Sequence, residues 1–177
     1  PLGAYAYCGE AMDVGAAVRL AKENGFFERL VLVLGGECHK AVGELKRAAR
    51  PVVLPPELTW RETDPLTGEI RETFVPKKLF DAGLLWALVP GPDDSYAERM
   101  LTYQAAQCVR HGIPRDEALK AITLNPARML RLDSRLGSIE VGKDANLVVF
   151  SGDPLDFDSV VEQVFIEGIR AYDRGQD

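Results

Sequence analysis

Residues 29–34 read RLVLVL, an apolar run stopped at once by Gly35-Gly36. A strand with almost no polar side chain has no face to give to water, so it belongs in a sheet covered on both sides, as parallel sheets are. Residues 4–8 form a β-prone run ended by Gly9, residues 51–54 a third strand ended by Pro55-Pro56, and residues 84–89 a fourth. Between them the apolar spacing turns helical. Val14, Ala17, Val18 and Ala21 make a stripe closed by Asn24-Gly25, and Ala41, Val42, Leu45 and Ala48 predict one helix over 37–49. Residues 76–82 read as a short helix and 96–110 as a long one closed by His111-Gly112. Strand and helix alternate four times, which predicts an α/β fold of parallel strands with right-handed crossovers. Four such units are half of an eight-stranded (β/α) barrel.

Half a barrel leaves two apolar strand edges with unpaired backbone groups. The chain is therefore expected to be completed by missing N-terminal sequence, by a partner chain, or by a homo-oligomer. Pro1 is not an initiator methionine, which agrees with truncation or processing. One excursion, residues 55–75, interrupts the alternation. Asp64-Pro65 and Thr67-Gly68 predict a turn between two β-prone runs, hence a β-hairpin at the C-terminal mouth of the barrel. Trp60 in it either covers a pocket or packs beneath the hairpin.

Bulk properties narrow the function. With 46% hydrophobic and 27% charged residues the chain has the make-up of a globular protein, and a net charge of -6 gives no footing for nucleic acid or an anionic membrane. No apolar run reaches the length of a membrane span, and the start lacks the order of a signal peptide. Cys8, Cys38 and Cys108 are odd in number and show no CxxC spacing. They read as reduced thiols, with a cytoplasmic location as the matching expectation. There is no phosphate loop, Ser-His-Asp set or nucleotide fingerprint.

The most specific stretch is residues 116–153, DEALKAITLNPARMLRLDSRLGSIEVGKDANLVVFSGD. Ala118, Leu119, Ile122 and Leu124 keep a helical face, Asn125-Pro126 resets the chain into a second short helix, and Gly137 and Gly142 mark tight turns before the strand Leu147–Phe150. Ile122-Thr123-Leu124-Asn125-Pro126-Ala127 and the run from Gly137 to Val149 resemble the C-terminal signature of the amidohydrolase superfamily, in particular its imidazolonepropionase-like branch. Asn146 stands where that family usually has Asp. The resemblance implies that residues 1–133 are the second half of a (β/α)8 TIM-like barrel. It likewise implies that residues 134–177, including two strands joined at Gly168, are a segment of a small β-sandwich completed by N-terminal strands.

The resemblance also implies a hydrolase that cleaves non-peptide carbon–nitrogen bonds in a small-molecule substrate with a divalent, zinc-like metal. Its first-strand His pair and fourth-strand ligand fall outside this chain. The ligands expected within it are replaced. Tyr7 stands for the fifth-strand His, six residues before Asp13; Gly35 is assigned the sixth-strand position on Gly35-Gly36-Glu37; and Pro90 replaces the eighth-strand Asp. Asp93 and Asp94, just beyond, are substitute catalytic candidates, or solvated acids at a helix start. Cys8 with His39, beside Cys38, is a possible Cys/His metal site, against the simpler reading of buried cysteines as small hydrophobes. Tyr7, Glu10 and Trp60 are candidate substrate contacts. His111 suits a helix-end cap, and Glu37 a helix N-terminus. A second reading therefore stands beside the hydrolase: a non-catalytic relative that binds a small molecule, or serves structure alone, without the metal site.

Overall fold

The structure, a computed structural model, describes residues 3–90 and 100–176. Strand β1 (Ala4–Cys8) leads into helix α1 (Ala11–Glu23), and β2 (Leu30–Leu34) into a 3-10 segment, Gly36–Ala41, and helix α2 (Val42–Ala48). β3 (Val52–Leu54) is followed by β4 (Thr59–Thr63) and β5 (Ile70–Phe74), helix α3 (Val75–Asp81) and β6 (Trp86–Leu88). Then come helices α4 (Met100–Arg110), α5 (Arg115–Ile122) and α6 (Leu124–Met129), and strands β7 (Leu147–Phe150), β8 (Val161–Ile166) and β9 (Ile169–Asp173).

β1, β2, β3 and β6 form one sheet in that order, every pair parallel, and β4–β5 is the antiparallel hairpin. The α/β alternation is thus as the apolar runs require. One segment differs from the pattern. The helix expected over 37–49 is split, because the Cys38 thiol donates to Cys8 O and His39 Nδ1 meets Gly36 O, tying the first turns back into 3-10 geometry. The helix expected over 96–110 is described from Met100 onward; Asp93 and Asp94 lie outside the described residues.

Side chains alternate across the sheet, and the two faces fare differently. Leu30, Leu32, Leu34, Val52, Leu54, Trp86 and Leu88 face the helices and pack with Val14, Leu45, Leu79, Ala105, Cys108 and Ala118 into the main core. On the opposite face, among the described residues, Val31 and Ala87 are buried together with Met129 of α6, with Val53 and Leu85 partly covered. In the same row of that face lie Tyr5 and Tyr7, paired in register with Val31 and Val33, and they are 49% and 73% exposed. Helix α6 covers part of this face. Asn125 Nδ2 donates to Trp86 O at 2.8 Å, and Tyr5 Oη reaches Met129 O at 3.4 Å.

The glycine-rich signature is architecture. Gly137 has φ +90°, and a Cβ there would lie 2.8 Å from both Ala127 Cβ and Leu124 Cα. Only glycine permits that turn against α6. The Lys143 ammonium donates to Ser138 Oγ and pairs with Glu140, while Arg135 pairs with Asp144. Asn146 Oδ1 accepts the N–H of Glu167, itself left-handed at φ 50°. An Asp oxygen would accept the same bond, so the departure from the family residue is conservative in structure.

Strands β7, β8 and β9 make a three-stranded antiparallel sheet. Val148, Val149, Ile166, Ile169 and Tyr172 in it stay exposed. It is clasped to the α5 side by Arg115, whose Nε and Nη2 both donate to Asp153 at 2.7 Å, and by Leu155, which packs against the main core. No helix among the described residues is long and apolar enough to cross a membrane.

The Arg115 guanidinium and the Leu155 N–H hold the Asp153 carboxyl down at about 2. A depressed folded-state pKa stabilises above the unfolded value of about 3.9, and that contribution fades as pH falls through the folded value. Acid melting curves should therefore show the wild type losing Tm more steeply than Asp153→Asn between about pH 4 and pH 2. Parallel curves for the two proteins would mean that the clasp carries no pH-dependent stability.

Candidate functional site

The C-terminal ends of the four parallel strands open into one pocket of about 480 Å³. β1 contributes Tyr7; β2 and its following turn contribute Val33, Leu34, Gly35 and Gly36; β3 and its exit contribute Leu54, Pro55, Pro56 and Glu57; and Val89 follows β6. Thr59 and Trp60 come from the hairpin. Strand ends are where a parallel α/β sheet exposes loop backbone beside a rigid scaffold, and ligands collect there.

The two glycines shape this pocket by what they omit. Gly35 N–H donates to Cys8 O at 2.6 Å, and a Cβ on Gly35 would overlap Gly9 O and lie 2.9 Å from Gly9 Cα. Strand ends β1 and β2 can close together only because no side chain stands between them. At Gly36 a Cβ would meet the Trp60 ring at 2.6 Å, so the indole lies directly on the backbone there. Lys40 fixes the hairpin over this spot: its ammonium bonds Glu62 at 3.0 Å and Glu37 at 3.4 Å and sits 5.7 Å from the Trp60 ring centroid. The His39 ring lies 6.1 Å from the same indole. Trp60 Nε1 is buried without a partner, a polar group left unpaired in the pocket wall.

Apart from Asp93 and Asp94, which lie outside the described residues, each sequence candidate has a definite place. Tyr7 and Trp60 both line the pocket, whereas Glu10 is exposed at the entry to α1 and is not among the residues lining it. Its backbone N–H donates to Asp13 Oδ2 at 2.9 Å, so the Asp of the fifth-strand pattern caps a helix. Glu37 Oε1 accepts the Ala11 N–H at 3.3 Å. That bond, with Lys40 beside it, holds the Glu37 carboxyl below its ordinary range. Glu37 therefore serves the start of α1 across the sheet as well as its own 3-10 turn. His111 stacks on Phe74 with centroids 3.9 Å apart.

The metal ligands expected in this half find no support. Counting back three residues from Glu37 in a His-Gly-x-Glu pattern lands on Leu34, not Gly35; Leu34 is buried in the helix-side core, and Gly35 has no side chain and no room for one. Pro90 offers no donor. Cys8 meets Cys38 instead of His39: the Cys38 thiol donates to Cys8 O at 3.1 Å, and both cysteines belong to the helix-side core. Burial, with Cys38 and Asp13 nearby, pushes the Cys8 thiol up to about 11; burial also raises Cys38 and lowers His39. Among the described residues, no three His, Cys, Asp or Glu side chains gather as a metal site. The described side chains alone therefore do not make up the donor set of a divalent cation.

Glu57 escaped the sequence reading. Its signal is the diproline before it: Pro55-Pro56 stops β3 and stiffens the exit that brings Glu57 to the pocket.

Comparison with known proteins places these features. Residues 95–172 match the profile of the amidohydrolase family. The chain is 35% identical over 97 residues to an amidohydrolase of Hapsidospora irregularis, covering 55% of this chain and 10% of that protein. It is 32% identical over 117 residues to the N-substituted formamide deformylase of Arthrobacter pascens, covering 57% of this chain and 22% of that enzyme. Among solved structures, an amidohydrolase from Thermotoga maritima MSB8 superposes with a TM-score of 0.79 at 39% identity, over 97% of this chain and 44% of that one. A zinc-bound adenosine deaminase from Xanthomonas campestris shares the fold at TM-score 0.57 and 23% identity, over 95% of this chain and 45% of that one. The chain thus spans less than half of each of these relatives.

The thiol environment is directly testable. Cys8 and Cys108, raised to about 11 and about 12 by burial, and Cys38, raised as well, should resist a disulfide reagent such as dithionitrobenzoate in the native protein at mildly alkaline pH. All three should react once denaturant is added. Rapid native labelling of Cys8 or Cys38 would refute the buried arrangement at the strand ends.

Proposed function

The chain belongs to the amidohydrolase superfamily, and on that premise we propose that it is the pocket-forming C-terminal half of a hydrolase acting on non-peptide carbon–nitrogen bonds. In this reading residues 1–133 supply four of the eight βα units of a barrel, and residues 134–177 supply part of a composite β-sandwich. The missing strands come from the remainder of the protein. Relatives that include an N-substituted formamide deformylase and an imidazolonepropionase support the bond class.

The observation that carries the reading is the strand-end pocket with its paired absence. In this reading Tyr7 and Trp60 build a substrate wall at the position where such barrels work, while no three His, Cys, Asp or Glu side chains gather among the described residues. This half binds and shapes; a divalent metal, where the intact protein holds one, is coordinated outside these residues. A specific observation favours a second reading. The sixth-strand ligand position, three residues before Glu37, is filled by the buried aliphatic side chain of Leu34, as expected of a relative that has given up the metal and kept the fold to bind a small molecule.

Elemental mass spectrometry on the intact protein, purified without chelators, checks this together with an assay for C–N hydrolysis. The expected result is stoichiometric metal that persists in Cys8→Ser and His39→Gln, while Gly35→His, at a position with no room for a side chain, should lower Tm. Loss of metal in either of the first two variants would contradict the assignment of this half. Absence of both metal and hydrolysis in the intact protein would replace the hydrolase reading with the second one.

A further inference from the structure

We propose that the strand-end pocket selects a small organic cation with an aromatic or ring-shaped apolar body, its ring against Tyr7 and Trp60 and its charge on Glu57. This deepens the functional reading above and rests on it for the pocket's role. A volume of about 480 Å³ suits one ring-bearing small molecule. The walls are aliphatic, proline and aromatic, so an apolar body is favoured, and aromatic faces attract a cation where they exclude water.

Charge decides the rest. Among the described residues, Glu57 is the single charged side chain lining the pocket. It is exposed to solvent, and among the described residues it has neither an ion-pair nor a hydrogen-bond partner. Lys40, the cation over the Trp60 ring, is already held by Glu37 and Glu62. An anionic ligand therefore meets an unpaired carboxylate and no free ammonium, whereas a cation gains a partner that nothing else has claimed. The fixed hairpin adds selectivity, because the Lys40 pairs and the seat of Trp60 on Gly36 hold the indole wall in place before a ligand arrives.

Three probes of one shape test this: benzylamine, benzyl alcohol and benzoate, titrated into the intact protein near neutral pH and followed by ligand-observed NMR. Benzylamine should bind about fivefold more tightly than benzyl alcohol, in line with one partly exposed ion pair on an aromatic wall, and benzoate should bind weakest. Glu57→Gln should erase the difference between amine and alcohol, and Glu57→Lys should invert the order in favour of benzoate. Circular dichroism should show both variants folded, since Glu57 is exposed. Equal binding of amine and alcohol, a preference that survives Glu57→Gln, or no binding of any probe would each overturn the proposal, even in a protein that hydrolyses C–N bonds. Amine-selective binding in a protein without hydrolysis would leave it standing and remove only the hydrolase reading.

Discussion

A parallel sheet has two faces to bury, and here only one is fully provided for. The helix side of β1-β2-β3-β6 is a continuous core running from Val14 and Leu45 through Leu32 and Leu54 to Ala105 and Ala118. The other side has Val31, Ala87 and Met129, then thins out across Val33 to the exposed rings of Tyr5 and Tyr7. Apolar burial is worth roughly 25 cal/mol per Å², so aromatic rings left in water on a strand are a large unused contribution. The same imbalance recurs in the sheet β7-β8-β9, whose Val148, Val149, Ile166 and Ile169 face solvent. Both sheets leave apolar side chains exposed in the same sense, which is what the proposed completion by further protein would cover.

The pocket follows from that scaffold and from two missing side chains. Because Gly35 carries no Cβ, β1 and β2 close through the bond from Gly35 N–H to Cys8 O. Because Gly36 carries none, Trp60 can lie on the backbone and bring the hairpin over the strand ends. Any side chain at Gly35 would force these elements apart. What remains at the strand ends is an aromatic-walled cavity with one carboxylate, Glu57, uncommitted among the described residues.

Much of the fold is legible in the sequence because it rests on local signals. RLVLVL, bounded by Gly35-Gly36, could only be a doubly covered strand, and Gly137 and Gly142 are both left-handed, as tight turns demand. Asn125-Pro126 restarts a helix as expected, and the buried Asn125 amide adds the reason, a bond to Trp86 O that no periodicity encodes. The site is less legible because it is made of long-range meetings. Cys8 lies against Cys38 and not His39, Glu37 bonds the Ala11 N–H of another helix, and Glu57 reaches the pocket through the stiff exit of Pro55-Pro56. Residue types alone could nominate Tyr7, Glu10 and Trp60 together; tertiary packing decides that Glu10 faces water while the two aromatics share a cavity.

On the proposed reading, the bare edge of β1 and its inner face are covered by protein outside these 177 residues. Amide hydrogen exchange on the intact protein, read for the peptide spanning Ala4–Cys8, tests it most directly. The account predicts strong protection across β1, including the amides that point away from β2, comparable with the central strand β2. Exchange of those outward amides at the rate of an unstructured peptide, in a protein whose β2 is protected, would contradict it.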